Sequence, residues 1–215
     1  MKQRTDAFIR SFFERHDNLQ FLKNDILQVG ELLIRAFQDG HQLLICGNGG
    51  SCADGDHIAG EFLKGFLLKR PVKESLKNTM GEKYGEYGME IANKLQQGLP
   101  TISLNTHSAA ISAFCNDVDP ELVYAQQVLA YGRPGDVLLG ISTSGNAKNV
   151  AAAVMTANSL GLHTVGLTGK DGGLLGKLSD MALIMPQQET YRIQEEHLAV
   201  YHLLCAMVES ELFDK

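Results

Sequence analysis

Two short turns concentrate the chemistry-bearing residues of this chain, and each follows an apolar run. Leu43-Leu44-Ile45-Cys46 leads into Gly47-Asn48-Gly49-Gly50-Ser51, and Val137-Leu138-Leu139-Gly140-Ile141 leads into Ser142-Thr143-Ser144-Gly145-Asn146. A buried strand that ends in such a turn and runs into a helix points backbone N–H groups and hydroxyls at one spot, where a phosphate can rest on the helix N-terminus. Two such turns point to a phosphorylated small molecule. The helix expected after the first turn offers His57 and Glu61, four residues apart, on one face and within reach of the same atom. A phosphate cradle and an acid/base or metal pair are therefore expected as neighbours.

Each signal has a plainer reading. Gly47 to Ser51 lacks the Lys-Ser/Thr ending of a Walker loop and the G-x-G-x-x-G spacing of a dinucleotide fingerprint, and glycine turns after strands are common. Ser142, Thr143 and Ser144 say more, because a helix N-cap explains one hydroxyl and three exceed that need. His57 and Glu61 alone could be a solvated helix pair. At the C-terminal end, Gln194, Glu195, Glu196, His197 and His202 interrupt an apolar helical stripe. Gln194 and His202 are eight residues apart and project within about 80° of each other on an α-helix. His197 competes with His202 for any role there, and for either one a buried histidine with a backbone partner is the plain alternative.

The elements that must position these residues follow from the pattern of apolar positions. Helical spacing runs from Asp6 to Gln38 with a break at Asp17 and Asn18, so two helices precede the first strand. A helix from about Ser51 to Leu67 follows that strand. Leu68 to Gly98 has Pro71, glycines and many charges, reads as loop-like with a weakly amphipathic piece around Tyr87 to Leu95, and is taken as an insertion or lid within the domain. Strand signals resume at Thr101 to Leu104, Asp136 to Ile141, His163 to Leu167 and Met181 to Met185. Helices are expected from Ala109, over Pro120 to Ala130, over Ala147 to Leu160 and over Tyr191 to Phe213, with a glycine-rich loop at Thr168 to Gly173. Alternating strands and helices predict a single α/β domain, residues 1–215, with a doubly wound parallel five-stranded sheet flanked on both faces. Ligands in such sheets bind beyond the carboxyl ends of the strands, where both turns fall.

Composition narrows the class. The chain has 215 residues, 44% hydrophobic and 20% charged, with a net charge of −6, which fits a soluble domain with a substantial core. That charge argues against direct nucleic-acid binding, and Lys64, Lys69, Arg70 and Lys73 read as a solvated face. A polar, charged start and apolar runs well short of the roughly 18 to 20 residues of a membrane span predict a cytoplasmic protein. Cys46, Cys52, Cys115 and Cys205 are scattered, without the spacing of a disulfide framework or a cysteine zinc site. Cys52 at a helix N-terminus is a remote candidate nucleophile. The long N-terminal helices hold more apolar surface than one sheet face covers, so they are expected to serve oligomerisation.

Taken together, Gly47 to Glu61 (G-N-G-G-S then H-x-x-x-E), Ile141 to Asn149 (S-T-S-G-N), Leu167 to Gly173 (L-T-G-K-D-G-G) and Arg192 to His202 (R-I-Q-E then H) resemble the phosphoheptose isomerase branch of the sugar-isomerase (SIS) family. The resemblance covers most of the chain outside the insertion. It implies a homotetramer with active sites at subunit interfaces, converting sedoheptulose 7-phosphate to a heptose 7-phosphate. It implies one zinc ion per subunit on His57, Glu61, Gln194 and His202. It also implies substrate contacts at Asn48, Gly49, Gly50, Ser51, Ser142, Thr143 and Ser144, with Glu61 and Gln194 shared between metal and sugar. The residues agree with such chemistry: moving a carbonyl from C2 to C1 needs a proton shuttle, for which Glu61 and His202 are the candidate pair, and a divalent ion can polarise the oxygens.

Some positions depart from that family pattern. His107 stands where the isomerases carry Asp, Ala109 where they carry Ser, Ala147 where a Ser helps bind phosphate, and Tyr191 where an Asp precedes Arg-Ile-Gln. Leu104-Asn105-Thr106 and Val123 to Val128 look more like the replication-initiator-associating protein of the same superfamily, a non-enzymatic tetramer without the full metal set. The rival readings are therefore a sugar-phosphate-binding protein and an isomerase of another phosphosugar.

Overall fold

In the computed structural model, which describes residues 1–214, the apolar runs form five parallel strands: β1 (Leu43–Gly47), β2 (Thr101–Ser103), β3 (Val137–Ser142), β4 (His163–Gly169) and β5 (Met181–Met185), in the order β2-β1-β3-β4-β5. Alternate side chains of one strand enter different cores: Leu43 and Ile45 join one apolar cluster and Leu44 and Cys46 the other. That alternation, with both faces covered, is what a parallel sheet between helical layers requires.

On the first face lie α1 (Gln3–Arg15), α2 (Lys23–Gln38), α3 (Gly50–Leu63) and the long α9 (Thr190–Phe213); a 3-10 turn, Asp17–Leu22, fills the break between α1 and α2. The opposite core takes side chains of α6 (Val123–Tyr131), α7 (Lys148–Leu160) and α8 (Gly173–Leu178), with α5 (Ser108–Asp117) packed at its edge. The strand order reverses between β1 and β3, whose registered ends are Gly47 and Ile141. A crevice beyond such a reversal is where open α/β sheets take ligands, and both turns open into it.

Four expectations change. Residues 74–94 are α4 (Glu74–Lys94), a helix bent at Gly85 (φ 62°) into two arms rather than a loop. Gly81 and Gly88 let the arms close, since a Cβ on either would meet Met89 or Met80 of the other arm. The base of this excursion is pinned by an antiparallel bridge between Pro71 and Gln96. The glycine-rich loop after β4 is shorter than expected, because α8 begins at Gly173. The helix after the first turn ends at Leu63, where Lys64 turns extended, and not at Leu67. The apolar side chains of the N-terminal helices, including Ile9, Phe12, Phe13, Ile26, Val29 and Leu33, are buried within their own chain among residues of α9 such as Val200, Leu204 and Met207. Their surplus therefore does not argue for association. Exposed Leu63, Leu67, Tyr84 and Tyr87 lie on α3, the following loop and α4 instead.

Candidate active site

α3 and α9 run side by side and hold most of the candidate residues. The first turn brings the chain off β1 with Gly49 in the left-handed region (φ 58°), and no side chain caps α3, which leaves its N-terminus open to an anion. Asn48, Gly49 and Gly50 are exposed there, with Ser51 buried behind them. A Cβ at Gly50 would lie 2.2 Å from Gln194 Nε2, so glycine at this position makes room for that amide. The second turn faces the first: Asn48 and Asn149 exchange amide hydrogen bonds of 2.8 and 3.0 Å. Ser142 is buried, Thr143 and Ser144 are half-buried, and Ser144 Oγ accepts the Asn146 N–H at 3.2 Å. One hydroxyl thus serves the turn itself. Gly145 (φ 67°) permits a close approach of Gly172, whose carbonyl would lie 2.0 Å from an added Cβ, so the glycines after β4 buttress the hydroxyl turn.

Tyr124 locks this end. Its hydroxyl sits 2.7 Å from both the Gly47 carbonyl and Asn105 Oδ1, and burial pushes its phenol pKa up, so it stays a neutral donor.

Farther along α3, His57 Nε2 lies 3.2 Å from Glu61 Oε1, and Lys64 Nζ lies 3.0 Å from Glu61 Oε2. The His202 ring is 5.0 Å from that of His57 at 84°, and Phe66 stacks on its other side at 5.6 Å. Burial first, then the charge of His57, lowers the His202 pKa, which favours a neutral imidazole able to take or return a proton. From Ser51 to Glu61 the helix rises about 15 Å, at 1.5 Å per residue. The phosphate turn thus lies at the N-terminal end of α3 and Glu61 in its last turn, with His57 between them, about 9 Å of helix beyond Ser51.

Buried groups behind this second end hold it in place. Glu209, 1% exposed, accepts the backbone N–H groups of Phe66, Leu67 and Leu68 at 2.8, 2.6 and 3.0 Å. It also pairs with Arg70 Nε at 2.7 Å, and Arg70 donates to the carbonyls of Phe62 and Glu61 that end α3. One ion pair thus fixes both the helix end and the loop carrying Phe66.

The comparisons with known proteins agree with this architecture. A model of the SIS domain matches residues 80–169. The phosphoheptose isomerase of Crocosphaera subtropica is 42% identical, over 86% of this chain and 81% of its own, and that of Clostridium acetobutylicum is 36% identical over 99% and 97%. The solved phosphoheptose isomerase of Neisseria gonorrhoeae superposes with a TM-score of 0.74 at 32% identity, covering 97% of this chain and 98% of its own. This chain belongs to the phosphoheptose isomerase family.

Its departures from the family pattern are accommodated locally. His107 precedes α5 and stacks on Tyr131 at 5.5 Å, with its Nε2 3.3 Å from the Tyr131 hydroxyl. Ala147 precedes α7 and leaves that helix, too, without a side-chain cap. Ala109 is exposed in the first turn of α5. Tyr191 is exposed, with the Arg192 guanidinium over its ring.

Of the candidate metal donors, His57 stands beside both Glu61 and His202 while Gln194 sits at the Gly50 end, and no three His, Cys, Asp or Glu side chains among the described residues converge on one point. The chemistry of the donors fits a divalent ion. His57 meets a hydroxyl at Nδ1, that of Tyr201 at 2.9 Å, as a ligating histidine ordinarily meets a partner on its other nitrogen. His197 is not a rival to His202. It is fully buried, donates from Nε2 to the Thr168 carbonyl (3.1 Å), and burial lowers its pKa to about 4. Burial and Asp56 raise the Cys52 thiol pKa, which disfavours the thiolate a nucleophile needs. Sequence reasoning missed Tyr124, Asn149, Lys64, Asp54 and Tyr201. Of these only Lys64, three residues after Glu61, carried a spacing signal.

Proposed function

We propose that this protein is a phosphosugar isomerase that converts sedoheptulose 7-phosphate to D-glycero-D-manno-heptose 7-phosphate. The observation that carries this reading is the His57–Glu61 contact with His202 beside it, in a chain related along nearly its whole length to enzymes named for that reaction. The sugar phosphate rests on the open N-termini of α3 and α7, with Asn48, Gly49, Gly50, Ser51, Ser142, Thr143 and Ser144 around it. Glu61 and His202 form the acid/base pair. A base removes a proton from C1, the C1–H electron pair becomes the C1=C2 bond, and the carbonyl electrons move onto the C2 oxygen. The C1 hydroxyl proton then passes to the C2 oxygen as C1=O forms and the C1=C2 electrons return to C2, which takes its proton from the conjugate acid. A zinc or similar divalent ion held by His57, Glu61, Gln194 and His202 would supply positive charge to the two oxygens of that enediolate. Lys64 balances the Glu61 carboxylate when the site is free of substrate.

The assembly we propose is a homotetramer whose sites are completed across subunit interfaces. Exposed Leu63 and Leu67 supply apolar surface beside the chemistry end, and exposed Tyr84 and Tyr87 lie at the bend of α4, the insertion we assign as a lid. Among the described residues no helix is long and apolar enough to cross a membrane. We place the enzyme in the cytoplasm, where its four free cysteines suit a reducing compartment.

An NMR time course of the zinc-loaded protein with sedoheptulose 7-phosphate tests the reading. Resonances of the aldoheptose 7-phosphate are expected. Saturable binding without conversion would favour a sugar-phosphate-binding protein. Because His107 is engaged by Tyr131 and Ala147 lacks a hydroxyl, other phosphosugars belong in the same panel.

A further inference from the structure

Behind His57, on the side away from Glu61, the structure stacks two polar groups that the isomerase chemistry leaves unused. Tyr201, 1% exposed, sets its hydroxyl 2.9 Å from His57 Nδ1, and the same hydroxyl donates to Asp54 Oδ1 at 3.4 Å. Asp54 Oδ2 is buried with no hydrogen-bond partner. Among the described residues Tyr201 is thus the donor on which this carboxylate depends.

A phenol has one proton to give. Given to the imidazole, it would strip a half-buried carboxylate, whose Oδ2 already lacks a partner, of its donor, the more costly arrangement. Given to Asp54, it makes a charge-assisted bond, and the phenolic oxygen is then free to accept from His57 Nδ1–H. The ring so held carries its lone pair on Nε2, 3.2 Å from Glu61 Oε1. Glu61, unlike Asp54, has an ammonium on its other oxygen, that of Lys64, so it tolerates the loss of a donor at Oε1. Two lone pairs facing across that gap attract a cation.

We propose that Asp54 and Tyr201 are positioning residues that hold His57 in its Nδ1–H tautomer and so present Nε2, together with Glu61, to a divalent ion. The ion rests on the metal-assisted reading above; the tautomer does not. The tautomer itself is set by this chain's own hydrogen bonds, in the way that the partner of a ligating histidine fixes which nitrogen binds.

The test is nitrogen NMR of the His57 ring in metal-free protein, in alkaline buffer that keeps the ring neutral, with zinc affinity by chelator competition as a second readout. The wild-type ring should be protonated at Nδ1. Tyr201→Phe should shift it to the Nε2–H form and weaken zinc binding by about ten- to a hundredfold. Asp54→Asn, which keeps an acceptor oxygen but removes the charge, should give a mixture of tautomers and a smaller loss, and it supplies the same readout if Tyr201→Phe does not fold. A wild-type ring protonated at Nε2, or an unchanged tautomer in the folded variants, would overturn the assignment. Wild-type protein that binds no zinc would overturn the cation half along with the metal-assisted reading, while the tautomer is decided without metal.

Discussion

At the N-terminal end of α3 the polar atoms come from backbone and short side chains on two turns, tied by the Asn48–Asn149 amide pair. At the C-terminal end they come from long side chains on two helices, His57, Glu61 and His202, held by ionised groups buried behind them. The first end needs little besides strand order and glycine: once β1 and β3 are adjacent, their turns must open together at the point of reversal. The second depends on contacts between residues far apart in the chain, such as Arg70 with Glu209. A phosphate seat can thus be written locally, whereas a proton-moving pair has to be assembled by the fold.

That contrast can be broken at either end. Glu61→Gln removes the acid/base carboxylate and should lower kcat by about a thousandfold with little change in KM, read by the isomerase assay. Glu209→Gln leaves the buried Arg70 charge without its partner and should cost about 3–5 kcal/mol of stability, whereas Arg70→Met with Glu209→Leu should be far milder; denaturant unfolding compares them. His197 sharpens the picture from the protein interior. Its pKa falls from 6.5 to about 4 on burial, so the unfolded chain binds a proton that the folded chain refuses. Stability should therefore fall by about 3 kcal/mol as the pH drops from about 6.5 to about 4, and His197→Asn should flatten that slope in urea titrations. Asn48→Ala, at the phosphate end, should raise KM by about tenfold, the worth of one hydrogen bond to a charged ligand, and leave kcat nearly unchanged.

The same contrast explains what could be read from the chain alone. The sheet, its flanking helices and both turns were legible because continuous apolar runs, helical apolar spacing and glycine-hydroxyl clusters are local signals. His57 and Glu61 were legible as a spacing. Asp54, Tyr201 and the Arg70–Glu209 pair were not, since each gains its meaning from a partner more than a hundred residues away. The glycines and charges of residues 74–94 read as a loop because Gly81 and Gly88 mark a close crossing of two helical arms and Gly85 a bend, none of which composition separates from disorder. The N-terminal helices misled in the opposite direction, as their apolar stripes are covered by α9 from the far end of the chain.

The most direct test of the division between the two ends follows deuterium from heavy water into the heptose phosphate by NMR, for wild type, Glu61→Gln and Asn48→Ala at saturating sedoheptulose 7-phosphate. The account predicts label at the carbon that accepts the proton, at near-equal rates for wild type and Asn48→Ala, and neither label nor product for Glu61→Gln. Wild-type rates of labelling and conversion by Glu61→Gln would contradict it.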